Sequence, residues 1–176
     1  YNHNIPIWKT YEPGSTFKLV TATSSVEENV IKPNEKFTCT GSVTVEGRRI
    51  KCWRSYRPHG SETFEQAVQN SCNPVFVELG KRLGVSRLYD YIEAFGLTSK
   101  TGIDLTGEAN SILYKEKDVG PVELATISFG QSISVTPIQL ITAVSSIAND
   151  GKLMQPRLVK AYTDNEGNIT KEVEPK

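Results

Sequence analysis

Tyr11-Glu12-Pro13-Gly14-Ser15-Thr16-Phe17-Lys18 is the stretch on which the reading of this chain turns. Pro13-Gly14 interrupts the backbone, and Phe17, Leu19, Val20 and Val26 then recur at helical spacing, which predicts a helix opening near Ser15 and ending before Asn29 or Pro33. Residues three apart share a helix face, so Ser15 and Lys18 can meet within one turn. A serine hydroxyl is a poor nucleophile at neutral pH and needs a neighbouring base. Lysine serves when desolvation lowers its pKa, and the positive end of a helix favours a developing alkoxide. Taken alone, Ser-x-x-Lys is a weak signal, more often a solvated first turn with an N-terminal serine.

Working outward, a second constellation lies at Ser71-Cys72-Asn73. Thr63-Phe64-Glu65-Gln66 reads as a capping box opening a short helix that ends near Asn70, and Asn73-Pro74 reads as the cap and first position of the next. Val75, Phe76, Leu79 and Leu83 supply that helix with an apolar face. Ser71 and Asn73 are then a turn residue and an N-cap, or they face the nucleophile, which requires this link to approach the start of the Ser15 helix.

Between the two motifs, Ser42–Glu46 and Arg48–Cys52 form strand-like runs separated at Gly47, a small β-hairpin inserted between helices. Further on, Ser86 is expected to cap a helix through Tyr91 and Phe95, closed by Gly96, and Pro121 to open another. Thr136-Pro137-Ile138-Gln139 is a strong helix start, with Leu140, Ile141, Val144, Ile147 and Ala148 as an apolar face and Gly151 as its stop. Arg157–Tyr162 reads as an edge strand followed by a turn at Asp164–Asn168. The class is α+β, dominated by helices.

The 176 residues suffice for one domain. Twenty Lys plus Arg cancel twenty Asp plus Glu, which argues against a nucleic-acid partner or a polybasic membrane tail. Leu124–Asn149 carries no charge, yet Gly130, Gln131, Pro137 and Gln139 interrupt it, so it is not read as a membrane span. The chain starts at Tyr1 without a signal-peptide pattern and is expected to be an excised piece.

With both motifs in order, the sequence resembles the penicillin-binding proteins, whose transpeptidase domains carry Ser-x-x-Lys, then Ser-x-Asn, then Lys-Thr-Gly or Lys-Ser-Gly. Y-E-P-G-S-T-F-K, N-S-C-N-P-V-F-V-E-L-G, K-T-G-I-D-L-T-G-E and F-G-Q-S-I-S-V-T-P-I-Q-L are similar to stretches of the class B, monofunctional members. R-R-I-K-C-W-R and N-S-C-N look most like a sporulation-specific member.

The resemblance implies a penicillin-binding transpeptidase domain, an antiparallel sheet flanked by helices, of which residues 1–176 are the helix-rich part. It implies D-Ala-D-Ala transpeptidation on peptidoglycan stem peptides, in sporulation cortex or septal synthesis, through an acyl-serine that β-lactams also form. Ser15 is the expected nucleophile and Lys18 its base, with Ser71 a proton relay and Asn73 a hydrogen-bonding partner of Lys18 and the substrate amide. No cofactor is needed for that chemistry. The implied setting is the extracytoplasmic face of the cell membrane, with an N-terminal anchor outside this chain and a membrane glycan polymerase as partner. A non-catalytic β-lactam-sensing or structural module of the same fold is the alternative. A hydrolytic β-lactamase lacks an identifiable deacylating carboxylate here.

Lys100-Thr101-Gly102 spells the third motif but precedes Ile103-Asp104-Leu105-Thr106-Gly107-Glu108, a different family segment, and is read as an exposed turn. The genuine third motif is expected beyond the C-terminus, leaving this fragment inactive by itself. All three cysteines and one of the two histidines fall within Cys39, Cys52, His59 and Cys72. Zinc accepts such a set tetrahedrally, but the spacing is no familiar zinc ribbon, and a Cys39–Cys52 disulfide or three unconnected thiols remain alternatives. Neither His3 nor His59 has a motif linking it to a serine, which disfavours a Ser-His-Asp triad.

Overall fold

The computed structural model describes residues 4–176, so His3 lies outside the described residues. The chain begins with a short helix α1 (Ile5–Trp8) and reaches a 3₁₀ turn, Gly14–Phe17, that runs directly into α2 (Lys18–Glu27). Ser15 therefore sits on the 3₁₀ turn and Lys18 opens the α-helix; side chains three apart eclipse in 3₁₀ geometry, so the two stay on one side. Phe17 and Val20 are buried, whereas Leu19 and Val26 are not, so the buried stripe is narrower than the hydrophobic pattern predicts. Thr21, Ser24 and Ser25 share the interior because each hydroxyl has an acceptor: Thr21 donates to the Ser128 carbonyl, the serines to carbonyls four residues back.

A β-rich module follows. Strands β1 (Lys36–Cys39) and β4 (Gly60–Thr63) pair antiparallel, and between them β2 (Ser42–Val45) and β3 (Arg48–Lys51) make the expected hairpin. Its two-residue turn has positive φ at both Glu46 and Gly47, the type I′ geometry that matches strand twist. The Thr63 capping box opens α3 (Phe64–Gln69) as predicted. Helix α4 (Asn73–Ala94) merges the two helices expected there: Gly84, at φ 77° and ψ 171°, breaks it two residues before Ser86. A 3₁₀ turn (Glu116–Asp118), α5 (Pro121–Ile127), α6 (Pro137–Ala148) and an exposed hairpin, β5 (Ala161–Thr163) with β6 (Ile169–Glu172), complete the chain.

Two clusters form the core, and α4 spans both. Val75, Phe76 and Leu79 pack with Phe37, Cys39, Cys52, Cys72 and Phe129, while Leu83, Leu88 and Ile92 beyond pack with Phe17, Val20, Ile127 and Val135. Each such side chain contributes about 2 kcal/mol by burial. Gly80 lets α5 approach closely, since a β-carbon there would lie 2.5 Å from that of Ser128. Helix α6 keeps its capping box, but only part of its predicted face is covered: Leu140 is buried while Ile141 and Ile147 are exposed, and Ala143, outside that face, is buried. Among the described residues the strands form three two-stranded antiparallel sheets, and no helix is long and apolar enough to cross a membrane.

Candidate active site

Three contacts bring Ser15 into place. Tyr11 exchanges both backbone hydrogen bonds with Val135 at 3.0 Å, Glu12 Oε1 accepts from the Ser132 amide at 2.8 Å, and the Gly14 amide donates to the Gly130 carbonyl at 2.8 Å. Gly14 and Gly130 both adopt left-handed φ, and a β-carbon on Gly130 would lie 2.0 Å from the Gly14 oxygen. Residues 11–14 thus lie clamped along residues 130–135, and the Ser15 turn emerges from that clamp. Sequence reasoning missed Gly130; its place in Phe129-Gly130-Gln131, just before a capping box, was the available signal.

Lys18 is buried at 4% exposure, beneath the link between α3 and α4. Its ammonium donates to the Ser71 carbonyl at 2.8 Å, to Ser71 Oγ at 2.9 Å and to Asn73 Oδ1 at 2.7 Å, and lies 5.1 Å from the centre of the Phe76 ring. Ser71 Oγ in turn donates to Ser15 Oγ at 3.0 Å. The hydrogen-bonded path from Lys18 to Ser15 therefore runs through Ser71. Burial lowers the Lys18 pKa to about 8, partly opposed by the neighbouring Cys52 and Cys72 sulfurs.

Ser71 holds φ at 51°, which turns both its hydroxyl and its carbonyl toward Lys18. Asn73 was expected to cap α4. Instead Cys72 occupies the cap position and Asn73 is the first helical residue, its side chain bridging Lys18 and the Lys51 carbonyl, to which Nδ2 donates at 3.1 Å. Gripping a buried ammonium outweighs a cap whose amides can be met by other means. The cleft at this corner, about 460 Å³, is lined by Ser15, Asn73, Arg49, Lys51, Thr126 and Gln131 among others.

Lys100-Thr101-Gly102 lies elsewhere. Glu108 closes it into a turn, accepting from the Thr101 amide and hydroxyl and the Gly102 amide, and Lys100 and Thr101 line a separate hollow with Thr142 and Met154.

Behind the Ser71 link, the donor atoms of Cys39, Cys52, His59 and Cys72 all lie within 4.8 Å of one another, and the three cysteines are free thiols. Cys52 Sγ is 3.7 Å from His59 Nδ1. His59 Nε2 and Glu62 Oε1 are buried polar atoms without hydrogen-bond partners among the described residues, and Glu62 Oε1 lies 3.7 Å from His59 Nδ1. Glu62 Oε2 accepts from Asn70 Nδ2 at 2.7 Å, while the Asn70 carbonyl accepts from Trp53 Nε1 at 2.8 Å. Burial, and after it the Glu62 carboxylate, push the Cys72 thiol far up.

Ser15, a desolvated lysine and a serine-asparagine corner meet on one helical scaffold, and residues 1–176 match the penicillin binding protein transpeptidase domain family, to which the chain belongs. It is 50% identical over 165 residues to stage V sporulation protein D of Bacillus subtilis, covering 93% of this chain and 25% of that protein. Against penicillin-binding protein PbpB of Mycobacterium tuberculosis it is 30% identical over 98% of this chain and 25% of that one. The chain spans between about a quarter and a third of the length of the curated relatives it matches. Among solved structures, the D,D-transpeptidase domain of a peptidoglycan glycosyltransferase from Eggerthella lenta superposes with a TM-score of 0.91 at 26% identity, over 98% of this chain and 45% of that one. Penicillin binding protein 3 of Mycobacterium tuberculosis complexed with ampicillin gives 0.87 at 30% identity, over 98% and 38%. The α+β fold is that of the penicillin-binding transpeptidases.

Proposed function

We propose that this chain carries the nucleophile half of a D,D-transpeptidase, the part of a class B penicillin-binding protein that makes and breaks an acyl-serine during sporulation cortex or septal wall synthesis. One observation carries the reading: Ser15, Ser71, Lys18 and Asn73, from two motifs more than fifty residues apart, form one continuous hydrogen-bonded set around a buried amine.

With its pKa near 8, about a tenth of Lys18 is neutral at pH 7. A neutral amine keeps two N–H bonds, enough for the Ser71 carbonyl and Asn73 Oδ1, and turns its lone pair to the Ser71 hydroxyl. As Ser15 Oγ bonds to the penultimate carbonyl carbon of a stem peptide, its proton passes to Ser71 and the Ser71 proton to Lys18. When the carbon–nitrogen bond breaks, the same relay returns a proton to the departing D-alanine amine. An acceptor amine then takes the acyl group by the reverse path and leaves a cross-link. The Ser15 amide supplies one oxyanion donor. The other belongs to a third motif on a strand C-terminal to Lys176, so residues 1–176 are part of a domain and inactive alone. The parent protein acts at the extracytoplasmic face of the membrane, held by an N-terminal anchor and working with a membrane glycan polymerase.

Cys39, Cys52, His59 and Cys72 would hold a structural zinc ion in this reading. Tetrahedral zinc places sulfur ligands roughly 3.8 Å apart, so donors already within 4.8 Å need only contract, and the soft thiolate-imidazole set suits that metal. The unpartnered His59 Nε2 and Glu62 Oε1 are groups that a cation and its surroundings would satisfy. Zinc takes no part in the acyl transfer; its ligand Cys72 stands between Ser71 and Asn73 and braces them.

Intact mass of the full-length protein after benzylpenicillin tests the acyl-serine assignment. The expected result is one penicilloyl adduct, absent in Ser15→Ala; an adduct that persists in the variant would falsify it. Turnover of a D-Ala-D-Ala peptide by the same protein separates the enzyme from a sensor that acylates and stops.

A further inference from the structure

The chain is neutral overall, yet Arg48-Arg-Ile-Lys-Cys-Trp-Arg-Ser-Tyr-Arg57 contains five cations and no acid in ten residues. On a merely solvated hairpin, cross-strand partners of opposite sign would be the stable choice. Here Arg48 faces Val45, Arg49 faces Thr44 and Lys51 faces Ser42. Among the described residues, neither Arg49 nor Lys51 forms an ion pair. Strand alternation puts both on one face, while Ile50 between them packs toward the core cluster. That face borders the Ser15 cleft, whose only charged lining residues are these two.

Both are anchored relative to the nucleophile. Arg49 Nε donates to Ser42 Oγ at 2.9 Å, which orients the guanidinium and leaves its other donors free. The Lys51 carbonyl accepts from Asn73, the residue that also grips Lys18, so the strand and the reactive corner share one fixed frame.

We infer that the strand Arg48–Lys51 is a cationic wall of the Ser15 cleft, with Arg49 and Lys51 as specificity-determining residues that select acyl donors bearing a carboxylate on the residue preceding the D-Ala-D-Ala pair. The inference rests on the acyl-transfer reading above and adds to it the charge class of the donor. Two unpaired cations beside a cleft raise the local concentration of an anionic ligand and lower that of a cationic one. Their effect weakens with salt, because both are solvent-exposed.

The test compares second-order acylation constants of the full-length protein for benzylpenicillin and carbenicillin, which differ by one side-chain carboxylate. The ratio of carbenicillin to benzylpenicillin is expected to fall about tenfold in the Arg49→Gln/Lys51→Gln double variant, and to fall in the unsubstituted protein as sodium chloride is raised. Lys51→Glu alone should lower it as well. A ratio that stays constant in the variants, or two constants that drop together, overturns the charge selection while leaving the acyl-serine intact. No Ser15 adduct with either penicillin in the unsubstituted protein overturns this inference and the acyl-transfer reading together.

Discussion

Lys18 as an ammonium has three protons, and the structure provides three oxygens for them, two from Ser71 and one from Asn73. Burial nevertheless wins over this solvation and holds the pKa near 8. Acylation of Ser15 should therefore rise with pH along a limb centred near 8, measured as penicillin acylation rate from pH 6 to 9.5, and Lys18→Met should lower the rate roughly a hundredfold or more and flatten that limb. Stability follows the same group with a definite sign. Between pH 8 and 10.5 the unfolded chain binds the Lys18 proton more than the folded one does, so this group makes the fold more stable as pH rises through that window and less stable below it. The stability of the wild type relative to Lys18→Met, from denaturant melts, should rise with pH across that window; a difference that does not change with pH would remove Lys18 from the account.

At the scale of elements, the Ser15 turn owes its position to a contact between two glycines. Gly14 lies at φ 57° and Gly130 at φ 85°, and the space for a side chain on Gly130 is already filled by the Gly14 backbone. Gly130→Ala should cost at least about 2 kcal/mol in urea melts and slow acylation more than the stability loss explains, because relief of the clash moves residues 14 and 15. Gly107→Ala, where φ is +87° with nothing within 4 Å, is the control: strained backbone without collision, and acylation kept. Much at this scale could be read from the sequence. Both the Thr63 and the Thr136 capping boxes stand where their spacing put them, since a cap is a local bargain between side chain and amides within one turn. The β1–β4 pairing, Lys36 with Thr63 through Cys39 with Gly60, could not be read, because it joins segments separated by the whole inserted hairpin.

For the molecule as a whole, the β-rich module and the helices meet at the Ser71 link, and the cysteine-histidine cluster is the joint. Glu35, immediately before β1, accepts two hydrogen bonds from Arg82 on α4, a second tie between the same two parts that holds its carboxyl down to about 2. If zinc occupies the cluster, metal analysis of the purified full-length protein should find about one equivalent. Stripping it with a strong chelator should lower the melting temperature by several degrees and slow acylation, through loss of the brace behind Ser71 and Asn73. Cys52→Ser should reproduce both effects; a metal-free protein with an unchanged melt would retire the ion.

By itself the sequence determined what is local or compositional: where helices start, that Ser15 and Lys18 share one side of a turn, that the class is α+β, and which residue types were available for nucleophile, base and metal. Those properties depend on spacing within a few residues. Only the tertiary structure decided that Ser71 stands between Lys18 and Ser15, that Asn73 grips an amine instead of capping its helix, that Gly130 seats the Ser15 turn, and that Ile141 and Ile147 remain uncovered. Each of these joins residues that the chain separates and packing brings together, and burial, which sets the lysine's proton affinity, exists only once they meet.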